Sequence, residues 1–167
     1  MELTSERLNE LLSYDPDTGH FVWKVNRKGR GARVGKRAGD LHRNGYRRIR
    51  VDGVRYKEHR LIWFYTHGTW PKGDIDHING VSDDNRITNL RDVPHRTNCE
   101  NVRRAKSHNK SGLLGVAYYP ERTSPKKYRA RVVRHGEAHT LGYYETAEEA
   151  HAAYVQAKRT LHEGNTL

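Results

Sequence analysis

Gly73-Asp-Ile-Asp-His-Ile-Asn-Gly80 runs into the polar segment Val81-Ser-Asp-Asp-Asn-Arg-Ile-Thr88 and then into Asn89-Leu-Arg-Asp-Val-Pro94. The first segment reads as a short strand that delivers Asp76 and His77 to the lip of an Asn-Gly turn. Residues 81–88 are polar and read as a loop. Asn89 to Val93 reads as a second short strand. Pro94 suits the first turn of a helix, where its missing N–H costs nothing. That helix would carry Asn98 and Asn101 on one face, at i and i+3. The order is strand, loop, strand, helix. Taken alone, these residues also fit a hydrogen-bonded turn with Asx residues at Asn85 and Asn89.

The chemistry such a segment can offer is specific. Phosphodiester hydrolysis needs a base for water, a cation near the phosphate, and a group that holds the base in one tautomer. A neutral histidine with a pKa near ~6.5 suits the first role. A carboxylate and an amide oxygen suit Mg²⁺, a hard cation that keeps several waters. A hydrogen-bonding asparagine suits the third.

Outward from this stretch the elements alternate. Residues 1–13 read as a helix capped at Thr4 or Ser5, followed by a turn cluster at 14–19. His20 to Val25 alternates as a strand. Arg27 to Gly39 has no apolar period and reads as a mobile basic loop. Tyr46–Val51 and Val54–Lys57 flank Asp52-Gly53, a hairpin signal. Glu58 to His67 reads as a helix ended by Gly68. Residues 106–112 are polar and breaker-rich and serve as the expected linker. Beyond them, strands are expected over 113–119, 127–134 and 139–144. A helix is expected over 146–161, with a Thr146/Glu149 capping box.

Composition sets limits. The chain has 167 residues with Lys and Arg at 31 against 20 Asp and Glu, a formal charge of +11. Such a surplus favours a polyanionic partner. At 34% hydrophobic residues, two or three small modules fit better than one large core. No apolar run is long enough to span a bilayer. Cys99 is the single cysteine, which excludes an internal disulfide and a multi-cysteine zinc site. The expected compartment is cytoplasmic, in a bacterial or phage-infected cell.

The central segment resembles the HNH nuclease family, whose core is a ββα-metal fold. Asp76-His77, Asn89 and Asn98 match the motif, with a step of nine residues from the first asparagine to the second. His59-Arg-Leu-Ile-Trp63 is similar to the lead-in of phage and intron-encoded homing endonucleases. The resemblance implies that Asp76 and Asn98 bind the metal, that His77 is the general base, and that Asn89 bridges the loop and orients His77. Asn98 stands where the motif more often has histidine. That favours one Mg²⁺ or Mn²⁺ over zinc. Residues 111–163 resemble the AP2 DNA-binding domain, most specifically in the block Leu141-Gly-Tyr-Tyr-Glu-Thr-Ala-Glu-Glu-Ala150. Alternation puts Tyr128, Ala130 and Val132 against the helix, and Lys127, Arg129, Arg131 and Val133 on the opposite face. Ala117, Ala138 and Thr140 depart from that family's pattern, so its target sequence does not carry over.

The expected fold is therefore α+β: a ββα-metal nuclease core with an N-terminal β-rich extension, plus a small three-stranded antiparallel sheet and helix. The expected domains are 1–105 (core motif 74–104), a basic linker at 106–112, and 113–167. The expected partner is double-stranded DNA, with Arg129, Arg131, Lys127, Tyr119, Arg103 and Arg104 as contacts. Monomer and homodimer both remain open. The expected activity is site-specific nicking or cutting. A DNA-binding regulator with an inactive nuclease fold and an RNA-binding protein are the alternatives.

Overall fold

The computed structural model describes residues 3–27, 31–100, 102, 105–134, 136–162 and 165. The chain divides into two compact units, Met1–Pro94 and His95–Leu167. The division falls earlier than the breaker-rich stretch at 106–112 suggests.

The first unit opens with helix α1 (Ser5–Leu11), whose N-cap Thr4 accepts from the Arg7 N–H. The sequence pattern extends this helix to residue 13. Instead the chain leaves it at Leu12 and enters strand β1 (Leu12–Asp15), antiparallel to β2 (His20–Trp23). Paired backbone and burial of Leu12 outweigh one more helical turn here, since Leu11 and Leu12 are both buried. The segment read as a mobile basic loop is tied down in its later part. Trp23 N–H donates to Lys36 O, Gly35 N–H to Trp23 O and Ala38 N–H to Phe21 O. Ala38 is fully buried. Residues 28–30 lie outside the described residues.

Strands β3 (Asp40–Leu41), β4 (Arg47–Val51) and β5 (Val54–Lys57) form a sheet with β4 in the centre. The β4–β5 turn places Asp52 and Gly53 at φ 45° and 89°, as a two-residue hairpin requires. Helix α2 (Glu58–His67) follows directly and ends at the left-handed Gly68. Strands β6 (Asp74–His77) and β7 (Leu90–Val93) pair antiparallel, with a 3₁₀ turn at Ile87–Asn89 between them. The core gathers Leu8, Leu11, Leu12, Phe21, Trp23, Ile49, Val51, Leu61, Ile62, Phe64, Ile75 and Leu90. It fixes the start of α2 and the end of β6, which carry the site.

The second unit begins with helix α3 (His95–Glu100), which bears Asn98. Its sheet has the order β10–β9–β8, from β8 (Val116–Tyr118), β9 (Tyr128–Arg134) and β10 (Glu137–Tyr144). A bulge between Thr140 and Gly142 shifts the β9–β10 register. Helix α4 (Ala147–Leu161) covers one face, with the Thr146/Glu149 capping box formed in both directions. Val116, Ala130 and Ala150 form the small core, and Tyr154 and Val132 are also buried.

Gly115 marks how tightly α4 sits on this sheet. Its φ is +78°, and a Cβ there would lie 2.0 Å from a Tyr154 ring carbon. Gly115→Ala combines backbone strain with ring displacement and should cost about 2–3 kcal/mol of stability. Urea unfolding followed by circular dichroism checks this. An unchanged midpoint would mean the ring moves aside freely.

A candidate nuclease site on the β6–β7 hairpin

His77 ends β6 and is 5% exposed. Its Nε2 lies 2.9 Å from Asn85 Oδ1. The Asn85 amide in turn donates to Glu58 Oε2 at 2.8 Å, and both Asn85 and Glu58 are almost fully buried. Glu58 Oε1 accepts from the Phe21 N–H at 3.2 Å, and Arg37 and Arg47 stand 3.7 Å from Oε2. Burial pushes the Glu58 carboxyl up, while the Phe21 N–H, the two guanidinium groups and the Asn85 amide pull it down. A carboxylate surrounded by these donors keeps the Asn85 N–H₂ facing it, so Oδ1 faces the imidazole. Oδ1 accepts only. His77 Nε2 therefore carries the proton, and Nδ1 carries the lone pair a base needs.

The imidazole stays neutral for a physical reason. Burial pushes its pKa down, against the Asn85 hydrogen bond and the Asp76 charge. Its ring packs 5.2 Å from that of His59 and 5.8 Å from that of Tyr46. His59, at the start of α2 and 3% exposed, is pushed down to about 3 by burial and by His77.

Asn89 does its work on the loop. Its Oδ1 accepts from the Asn79 N–H at 3.0 Å, and its Nδ2 donates to Asp84 O at 2.8 Å and to Asn79 Oδ1 at 3.0 Å. Its carbonyl accepts from the Ile78 N–H at 2.9 Å. These bonds hold both ends of the 79–84 loop, while Asn85 Oδ1 is the atom beside the imidazole. Tyr14 OH, from β1, adds a clasp by donating to Asn85 O and accepting from the Ile87 N–H.

Asp76 is 5% exposed and faces Arg91 across the β6–β7 ladder. Arg91 Nε and Nη2 approach Asp76 Oδ2 at 2.8 and 2.7 Å. Asp92 accepts from the Lys72 and Gly73 N–H groups and anchors the entry to β6. Arg60 donates to Gly73 O and Pro71 O, and Arg86 pairs with Asp84 at 2.6 Å. Those two arginines thus have structural partners.

The first unit thus brings together Asp76, His77 and Asn89. Asn98, half-buried on α3, belongs to the second unit. The two residues that sequence reasoning missed are Asn85 and Glu58. They stand 27 positions apart, and the only local hint is an acid at the N-terminus of α2. Among the described residues no group of three or more His, Cys, Asp or Glu could hold a metal. The donors on hand are a carboxylate and amides. These suit a hard, water-retaining cation held by one or two protein ligands.

On the second unit's sheet, Arg129 is half-buried, with its guanidinium 4.9 Å from the centre of the Tyr119 ring. Arg131 is exposed on the same face. Lys127 Nζ donates to Pro120 O at 3.1 Å. Arg122 stacks 3.9 Å over Tyr143, which meets Tyr119 edge-on at 6.5 Å. Arg103, Arg104 and Asn101 lie outside the described residues.

Residues 56–99 match the HNH endonuclease family model. The chain belongs to the HNH endonuclease family. It is similar to protein 3.8 of Escherichia phage T7, with 32% identity over 107 residues that cover 64% of this chain and 84% of the phage protein. No solved structure matches the chain. No helix among the described residues is long and apolar enough to cross a membrane.

Proposed function

We propose that this protein is a metal-dependent endonuclease that hydrolyses phosphodiester bonds of double-stranded DNA at Asp76-His77. The observation that carries this reading is the buried Glu58–Asn85–His77 chain, which holds the imidazole through Nε2 on the strand residue next to Asp76. In this reading Nδ1 takes a proton from water. The water oxygen attacks phosphorus in line with the P–O3′ bond, which breaks, and the leaving O3′ takes a proton from solvent. The products are a 5′-phosphate and a 3′-hydroxyl.

Asp76 and Asn98 are the proposed ligands of one Mg²⁺ or Mn²⁺ ion. When bound, that ion supplies charge stabilisation for the phosphate and the leaving oxygen. Arg91 holds the Asp76 side chain at the lip of the hairpin and sets a guanidinium there. Asn89 keeps the loop closed around His77. The Arg- and Tyr-bearing sheet face of the second unit, with Arg129, Arg131, Lys127 and Tyr119, is the proposed surface for site selection, as the AP2 resemblance implies. Arg103 and Arg104 would add phosphate contacts.

One feature favours a second reading, a DNA-binding regulator with an idle nuclease fold: Arg91 already neutralises Asp76 Oδ2. The end chemistry separates the two. With Mg²⁺, supercoiled plasmid should become open circles that DNA ligase reseals, since the nicks keep 5′-phosphates. Intact plasmid alongside tight binding would favour the regulator. Nicks that ligase cannot close would refute the proposed bond cleavage.

A further inference from the structure

The β4–β5 hairpin carries an arrangement that folding alone disfavours. Arg48 is the Cα partner of Lys57, and Arg50 is the Cα partner of Arg55. Residues directly opposite in an antiparallel pair project from the same face, and like charges so placed are destabilising. The intervening Ile49 and Val51 are buried on the other side. Four cations therefore form two rungs on the outward face, spaced about 7 Å along the strand. Arg50, Arg55 and Lys57 are exposed and Arg48 is half-buried.

Several other arginines of this unit are ion-paired. Arg37 and Arg47 meet Glu58 and Asp83, Arg7 and Arg27 meet Asp52, and Arg91 meets Asp76. Among the described residues, none of the four rung cations forms an ion pair, although Asp40 on β3 is the Cα neighbour of Arg48. Guarding against edge pairing accounts only for Arg55 and Lys57, on the edge strand β5. Arg48 and Arg50 sit on the central strand, where no free edge needs protection.

The ladder also leads to the candidate site. The Lys57 ammonium lies 5.1 Å from the centre of the Tyr46 ring. The same ring packs 5.8 Å from that of His77. The rung Arg48–Lys57 is thus one aromatic ring away from the imidazole.

We propose that the outward face of the β4–β5 hairpin is a phosphate-binding track for the duplex DNA flanking the bond to be cut, with the Arg48–Lys57 rung nearest to His77. The track rests on the nuclease reading for its role, but its DNA binding can be measured without cleavage. Phosphates between the rungs would offset the cross-strand repulsion that the free protein carries.

The experiment uses the full chain and two double variants, Arg50→Gln with Arg55→Gln and Arg48→Gln with Lys57→Gln. Fluorescence anisotropy with a labelled duplex, in EDTA to prevent cutting, gives affinity across a salt series. Each double variant should bind more weakly. Each should also lower the slope of log K against log salt by about two, close to one for each phosphate no longer neutralised. Melting temperatures should stay level or rise, because a like-charge pair has been removed. An unchanged affinity and slope in both variants would overturn the track, as would a wild-type chain that does not bind duplex DNA. Loss of binding explained by a collapsed melting temperature would also count against it, since it makes the cations structural. A wild type that shows the ladder-dependent slope yet leaves plasmid intact with Mg²⁺ would sink the nuclease reading and spare the track.

Discussion

His77→Ala should lower plasmid nicking by about 10³-fold or more while leaving DNA affinity nearly unchanged. In this reading the imidazole Nδ1 supplies the lone pair that takes the proton, and among the described residues the neighbouring side chains offer no equivalent base. Asp76 is engaged by Arg91. His59 is packed against Tyr46 and His77, so it is no substitute. Affinity should persist because His77 is neutral and only 5% exposed, so it adds no charge for phosphate. Nicking rates and anisotropy titrations on the same preparation check both halves. If affinity and cutting collapse together, His77 is a structural residue and the assignment of the base is wrong.

Asn85→Ala should have the next largest effect, near 10²-fold on nicking. Orienting partners of a catalytic histidine act through its tautomer and position, and their loss is costly even when the histidine remains. Two things happen in this variant. His77 Nε2 loses the acceptor at 2.9 Å, and Glu58 loses the amide donor at 2.8 Å. Leaving a buried acceptor short of a donor also costs about 1–3 kcal/mol of stability. A merely structural role would show the stability loss without a change in the imidazole. The distinguishing readout is ¹⁵N NMR of His77. Wild type should show the tautomer protonated at Nε2, and Asn85→Ala a mixture. A wild-type spectrum with the proton on Nδ1 would contradict the Glu58–Asn85–His77 relay.

Parts of this arrangement were legible in the chain itself. The β6 and β7 strands and the Asn79-Gly80 turn follow from short-range pattern. So do the caps at Thr4 and Thr146, because a cap is a contact three residues long. The Asp52-Gly53 hairpin was equally local. Strand β1 was not legible, because Leu11-Leu12 continues an apolar helical pattern and only pairing with β2 reveals the break. The tethering of residues 34–38 to Phe21 and Trp23 is likewise a long-range fact. At the site, Asp76, His77 and Asn89 carried a motif, whereas Asn85 read as an Asx-turn residue and Glu58 as a helix start. Their meeting depends on how α2 lies against the hairpin, which no local period encodes. The four cations of β4 and β5 were visible as residues, but their charge opposition exists only in the register.

The most direct test of the nuclease assignment follows supercoiled plasmid over time with wild type and Asp76→Ala side by side, at matched DNA occupancy. Wild type should open the circle with Mg²⁺ or Mn²⁺, stop on addition of EDTA and resume when the ion is restored, while Asp76→Ala stays inert. A wild type that binds DNA but never nicks it with either ion, or an Asp76→Ala variant that nicks at the wild-type rate, would contradict the assignment.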